Sequence, residues 1–146
     1  MLVYLDNCSF NRPFDDQTAL GVYLETMSKL GVQTLIKTGI LELVWSDILD
    51  YENGMNPNIE ARDNIFLWRS IAQIIVHQNS DIRDRAKQLQ ICGLKSMDAL
   101  HLSCAIEANC DYFITVDKGI LKKKNAVSAI NPISPVDFIS IWEEQT

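Results

Sequence analysis

The sequence predicts an α/β sandwich on a mainly parallel sheet, and three observations predict it. Short continuous apolar runs, LVYL at 2–5, LELVWS at 41–46 and DYFITV at 111–116, have the length of buried strands. Longer segments with apolar residues at helical spacing separate them, an alternation that favours crossover connections and parallel pairing. No internal repeat, low-complexity tract or long linker divides the 146 residues, so a single domain spanning 1–146 is expected.

Each element has a local signal. LVYL is cut off by Asp6 and then by NRP, which leaves Asp6 at the strand's C-terminal end. From Asp16 to about Lys37, Leu20, Tyr23, Leu24, Met27, Leu30 and Leu35 fall near helical spacing, with acids early and Lys37 late as the helix dipole prefers. Gly31 is expected to loosen that helix. DILDYENG, after LELVWS, supplies one or two helical turns that Asn56-Pro57 stops. Asn58 is placed to cap a segment carrying Ile65, Trp68, Ile71 and Ile75, whose tail AQIIVH reads as helical or extended. Ser80 is the expected cap of a helix ending at Gly93, and Ser96 that of MDALHLSCAIEAN. Beyond DYFITV, KGILKKK reads as a short basic helix, VSAINP as an edge strand, and PVDFISIWEE as a terminal helix with Pro135 at its start.

Composition narrows the function classes. A formal charge of −6 and a pI near 4.8 argue against a basic sheath that captures duplex nucleic acid or anionic membrane from a distance. Cys8, Cys92, Cys104 and Cys110 form no close CxxC pair, and no basic leader or membrane-spanning apolar window is present, so free thiols in a soluble cytoplasmic protein are expected. Neither GxGxxG nor GxxxxGK[ST] occurs, which leaves dinucleotide and P-loop chemistry unsupported.

Four acids break the apolar pattern. Asp6 and Asp117 follow apolar strands directly, where open parallel sheets place their binding crevice. Glu52 would share a helix face with Ile48 and Leu49, and Asp98 a stripe with Leu102 and Ala105. Taken singly, each also reads as a cap or a solvated acid, and for Asp6 the two readings are even. Gathered together and turned inward, four carboxylates need cationic compensation, and clustered oxygen donors suit Mg²⁺ or Mn²⁺ better than zinc.

The opening YLDNCSFNRPF, the segment SDILDYE and the stretch GLKSMDALHLSCAIEANCDYFITVDKGILKK resemble, in that order, the PIN-domain family, which includes the VapC-like toxins of bacterial toxin–antitoxin pairs. The most specific part is 93–118, where DALHLSCA is followed by CDYFITVDK. The resemblance implies a three-layer α/β/α PIN-like fold and a Mg²⁺- or Mn²⁺-dependent ribonuclease. By position it makes Asp6, Glu52, Asp98 and Asp117 the metal-binding and catalytic acids, with Asp47 and Asp50 as nearby alternatives to Glu52. It further implies RNA as substrate, a homodimer and a small antitoxin partner.

Asn7 and Thr115 are candidates to orient a carboxylate or hold a metal-bound water, against turn formation or strand capping; Ser46 resembles a supporting position but reads better as an N-cap. His101 reads as a packed histidine hydrogen-bonded to a neighbour, and Arg12 as a phosphate contact or an ion pair with Asp15 or Asp16. A phosphatase of the haloacid-dehalogenase type would need an acid at position 8, where Cys8 stands, and a receiver-like domain would need one on the central strand. The remaining alternative is a catalytically silent PIN-like module that binds RNA or a partner.

Overall fold

The computed structural model describes all 146 residues. Five strands form one sheet: β1 (Leu2–Leu5), β2 (Glu42–Ser46), β3 (Ile74–Val76), β4 (Tyr112–Ile114) and β5 (Asn131–Ile133). Their order is β3-β2-β1-β4-β5 and every pairing is parallel. Parallel pairs require crossovers, and seven helices lie in them: α1 (Asn7–Asn11), α2 (Leu20–Lys37), α3 (Asp47–Gly54), α4 (Ile59–Phe66), α5 (Ser80–Ile91), α6 (Ser96–Glu107) and α7 (Lys118–Leu121); α8 (Pro135–Gln145) follows the last strand. The result is a three-layer α/β/α sandwich in which α2 packs on α8 and α5 on α6.

β1 lies at the centre, with Val3 paired to Leu43 on one side and to Tyr112 on the other. Being covered on both faces, it reads as a continuous apolar run, and Val3, Tyr4 and Leu5 are all fully buried. Tyr4 stacks on Phe113 of β4 with ring centroids 5.4 Å apart, and Phe10 of α1 tilts against Trp45 of β2 at 5.5 Å. The first pair fastens the central strand to β4, and the second fastens α1 to β2.

Several local expectations are corrected. The second helix starts at Leu20, because Asp16 accepts a hydrogen bond from the Thr18 amide and holds that stretch in a turn. Gly31 does not loosen the helix, which runs unbroken from Leu20 to Lys37; a β-carbon there would make ordinary contact with Ile139 Cδ1 of α8 at 3.6 Å. The ambiguous tail splits: α4 passes into a 3₁₀ turn over Leu67–Ile71, and β3 follows. Asn79, not Ser80, caps α5, accepting from the Ile82 amide at 2.9 Å, since an asparagine one residue earlier caps equally well. Lys95 occupies the cap position of α6 without a side-chain hydrogen bond, so Ser96 is already helical and Asp98 supplies negative charge in the first turn. All four cysteines are free thiols.

Phe113 is fully buried whereas Ile91 is 79% exposed, which separates packing from surface effects. Phe113→Ala is expected to lower the free energy of unfolding by about 3–5 kcal/mol, and Ile91→Ala to change it by less than about 0.5 kcal/mol. Urea titration followed by circular dichroism measures both.

Candidate functional site

The sheet reverses its winding at β1. The chain steps outward through β2 to β3, then returns to the other side of β1 for β4 and β5. Helices leave in opposite directions at such a point, and a crevice opens beyond the carboxyl ends of the strands. Asp6 and Asp117 follow the two strands that flank it, β1 and β4.

Asp6 is 4% exposed. Its Oδ2 accepts a hydrogen bond from Thr115 Oγ1 at 2.6 Å, and its Oδ1 accepts from the Ser9 amide and from Cys8 Sγ, each at 3.1 Å. The Ser9 contact makes Asp6 the N-cap of α1, so capping and a place at the strand end coexist in one carboxylate. Burial raises its pKa above the ordinary carboxylate value, against the opposing pull of the Thr115 hydroxyl, the His101 charge and the other donors. Asp117 caps α7 through Oδ1 alone, which accepts from the amides of Gly119 at 2.7 Å and Ile120 at 3.3 Å. A β-carbon at position 119 would lie 2.9 Å from that oxygen and would make the Asp117 carboxylate shift. The Thr115 hydroxyl links the two acids, donating to Asp6 while accepting the Asp117 amide at 3.0 Å.

Glu52 approaches from α3 and Asp98 from α6. Asp47 accepts from the Gln78 amide at 2.9 Å and faces His77, whereas Asp50 accepts from Trp45 Nε1 at 2.8 Å and pairs with Arg69. With both neighbours engaged elsewhere, Glu52 is the acid of this helix that reaches His101, its Oε1 lying 2.9 Å from His101 Nε2. Asp98 is pushed up to about 6, first by burial and then by the charges of Asp117 and Asp6, with His101 opposing and Glu52 adding to the rise. Asp98 is therefore the acid on which the charges of the other three converge.

His101, 1% exposed, is the centre of a directional hydrogen-bond chain. A carboxylate only accepts, so in the neutral ring Nε2 carries the proton to Glu52 and Nδ1 accepts from the Tyr4 hydroxyl at 2.6 Å. Burial, with the Cys104 charge next, raises the Tyr4 phenol well above its ordinary pKa, so it keeps that proton. Tyr4 oxygen then accepts from Ser46 Oγ at 2.6 Å, and Ser46 Oγ accepts the Leu49 amide at 3.1 Å. Ser46 is thus the N-cap of α3 and also the far end of a chain that terminates on Glu52 of the same helix.

No group of three His, Cys, Asp or Glu side chains is set to hold a metal ion directly. The donors still have hard-cation chemistry: carboxylate oxygens of Asp6, Glu52, Asp98 and Asp117, with Asn7 Oδ1 buried beside them and lacking any hydrogen-bond partner. Mg²⁺ keeps several waters and takes one or two carboxylates directly, which such an arrangement accommodates. Arg12 is committed to Asp15 at 2.9 Å and Glu25 at 3.6 Å rather than facing this crevice. Tyr4 and Cys8 were not singled out from sequence as site residues; the signal for Tyr4 was a phenol inside an otherwise apolar strand, which must find a partner.

No family model and no curated protein matches the sequence. Among solved structures, the fold is shared with a chain of VapBC2 from Rickettsia felis, in a structure bound to a DNA fragment from their promoter. The TM-score is 0.56 at 16% identity, covering 92% of this chain and 98% of that one. A chain of VapBC-1 from nontypeable Haemophilus influenzae matches with a TM-score of 0.53, 16% identity and the same coverage. These are toxin–antitoxin complexes, and the PIN-like fold implied by the sequence agrees with theirs.

Two outcomes follow from the geometry. Tyr4→Phe keeps the shape of the core but deprives the Ser46 hydroxyl proton and His101 Nδ1 of the phenol they bond, so unfolding in urea should show a loss of about 1–3 kcal/mol. For Asp98, a folded-state pKa of about 6 against an ordinary carboxylate value of 3.8 means that the native state holds the extra proton between those values. Metal-free protein should therefore lose thermal stability as pH rises from about 4 to about 6, and Asp98→Asn should remove part of that slope, worth about 1 kcal/mol after solvent screening. Melting temperatures in chelator across that range read it.

Proposed function

We propose that this protein is a Mg²⁺- or Mn²⁺-dependent endoribonuclease, the toxin of a toxin–antitoxin pair, with Asp6, Glu52, Asp98 and Asp117 holding the metal. The observation that carries this reading is the charge environment of Asp98: of the groups acting most strongly on it, three are the carboxylates of Asp117, Asp6 and Glu52, and the fourth is His101. Such mutual repulsion is offset by a divalent cation. The toxin–antitoxin setting is supported by the shared fold, and RNA as substrate by the resemblance of 93–118 to the PIN-domain signature.

When bound, Mg²⁺ or Mn²⁺ supplies a Lewis acid that lowers the pKa of water and stabilises the leaving oxygen of a phosphodiester. The chain's own residues prepare the place. Thr115 holds Asp6 and the start of α7 in a fixed relation, so the two strand-end acids keep their spacing. His101 orients Glu52 through Nε2, and Tyr4 fixes the tautomer that lets it do so. Asn7 offers an unpaired amide oxygen beside Asp6, suited to accept a hydrogen bond from a coordinated water.

A homodimer and a small antitoxin that covers the acidic crevice belong to the same proposal. The silent-module reading differs from it in two measurable respects, metal affinity and RNA cleavage. Calorimetric titration with Mn²⁺ should give saturable binding that Asp98→Asn weakens. The same substitution should reduce Mn²⁺-dependent cleavage of RNA by at least about a hundredfold while leaving the circular dichroism spectrum unchanged. Full cleavage by the variant overturns the enzyme assignment, and a flat Mn²⁺ titration of the native protein favours the silent module.

A further inference from the structure

A cavity of about 450 Å³, lined by none of Asp6, Glu52, Asp98 and Asp117, opens between α2, α4 and the 3₁₀ turn after α4. Its volume falls within the ~300–1,000 Å³ range of small-molecule sites. Phe10, Phe14, Ile65 and Trp68 give it aromatic and aliphatic walls. Lys29 and Lys37 also line it, and no acid does, in a chain whose net charge is −6.

Lys29 is the unusual member. It is 3% exposed, and its sole hydrogen-bond acceptor is the Phe10 carbonyl at 3.4 Å, at the long limit of such a bond. An ammonium has three donors, so two are left without protein partners inside the fold. The nearest aromatic contact, Phe10 with its centroid 5.3 Å from Nζ, compensates weakly for a missing anion. Burial, with the Lys37 charge adding to it, lowers the amine to about 7. Lys37 lies 5.1 Å from the centroid of Trp68, a second cation on the same cavity with no carboxylate between them.

We infer that this cavity binds a small amphipathic carboxylate, its apolar body against Phe10, Phe14 and Trp68 and its single anionic head on Lys29 Nζ. Charge complementarity selects the head: two cations without an acid reject a cationic amphipath and leave a neutral one without an ion-pair partner. The walls select the body, since aliphatic or aromatic carbon replaces water against them. The inference is independent of the acidic crevice and of any activity there.

Octanoate is a suitable probe, with octylammonium and 1-octanol as charge-reversed and neutral counterparts, titrated into the full-length protein by calorimetry at about pH 6, where carboxylate and amine are both charged. Octanoate should bind saturably at one site per chain, 1-octanol more weakly and octylammonium without saturation. Lys29→Met should weaken octanoate by about tenfold or more, the value of a charge-assisted hydrogen bond, and leave 1-octanol unchanged. Absence of saturable octanoate binding, equal binding by Lys29→Met, or equal binding of octylammonium overturns the inference. Should Lys29→Met fail to fold, the contrast between octanoate and octylammonium on the native protein decides alone.

Discussion

Carboxylates gathered at one end of a parallel sheet repel one another, and much of the molecule's polar structure is organised around containing that repulsion. Asp6 is the most buried of the four and has the densest support: a hydroxyl, a thiol and a backbone amide all point at it. Asp117 rests on the first amides of α7. Each of these donors favours the ionised acid, while burial and the neighbouring charges favour the protonated one. Asp98 has only the second set acting on it strongly, save for His101, and its raised pKa is the residue of that imbalance. The crest is thus held in place by hydrogen bonds yet left short of positive charge.

Containment is achieved by few elements, each used twice. Ser46 caps α3 and anchors the chain through Tyr4 and His101 that ends on Glu52, so the two ends of one helix are tied through β1 and α6. Thr115 joins the ends of β1 and β4, and the Ser9 hydroxyl, donating to the Ile114 carbonyl at 3.0 Å, adds a second tie between the same strands. Buried polar links of this kind are costly when half satisfied and rigid when complete. Asn7 Oδ1 is the conspicuous incomplete member, and it stands next to Asp6.

The strands and most helices were legible in the sequence because their signals are local. LVYL, LELVWS and the ITVD that brings the chain to Asp117 carry burial and termination in adjacent letters. The four acids were legible for the same reason, each sitting in conflict with an apolar stripe. What the letters do not carry is which of several equivalent neighbours wins. Asn79 or Ser80 as cap, and Glu52 rather than Asp47 or Asp50 as the acid meeting His101, are decided by partners brought from far along the chain: Gln78, His77, Trp45 and Arg69 occupy the two aspartates. The Tyr4–His101 bond joins residues 97 positions apart, beyond the reach of any periodicity. Gly31 was misread because the helix around it is held by packing against α8, near the opposite terminus, and not by the propensity of one residue.

Charge is segregated across one short element. α1 has five residues, too few to be stable as an isolated helix, so its position depends on what holds its ends. Asp6 caps the N-terminal end, facing the acids; Phe10 packs on Trp45 and Trp68 and offers its carbonyl to Lys29 near the other end. Asp6 and Lys29 therefore meet α1 at Ser9 and at Phe10, and not each other. A direct pair between them would satisfy both and abolish the open character of both places. Kept apart, Lys29 retains one protein acceptor at 3.4 Å and Asp98 a pKa pushed up to about 6 by burial and like charges, so neither imbalance is relieved by the other.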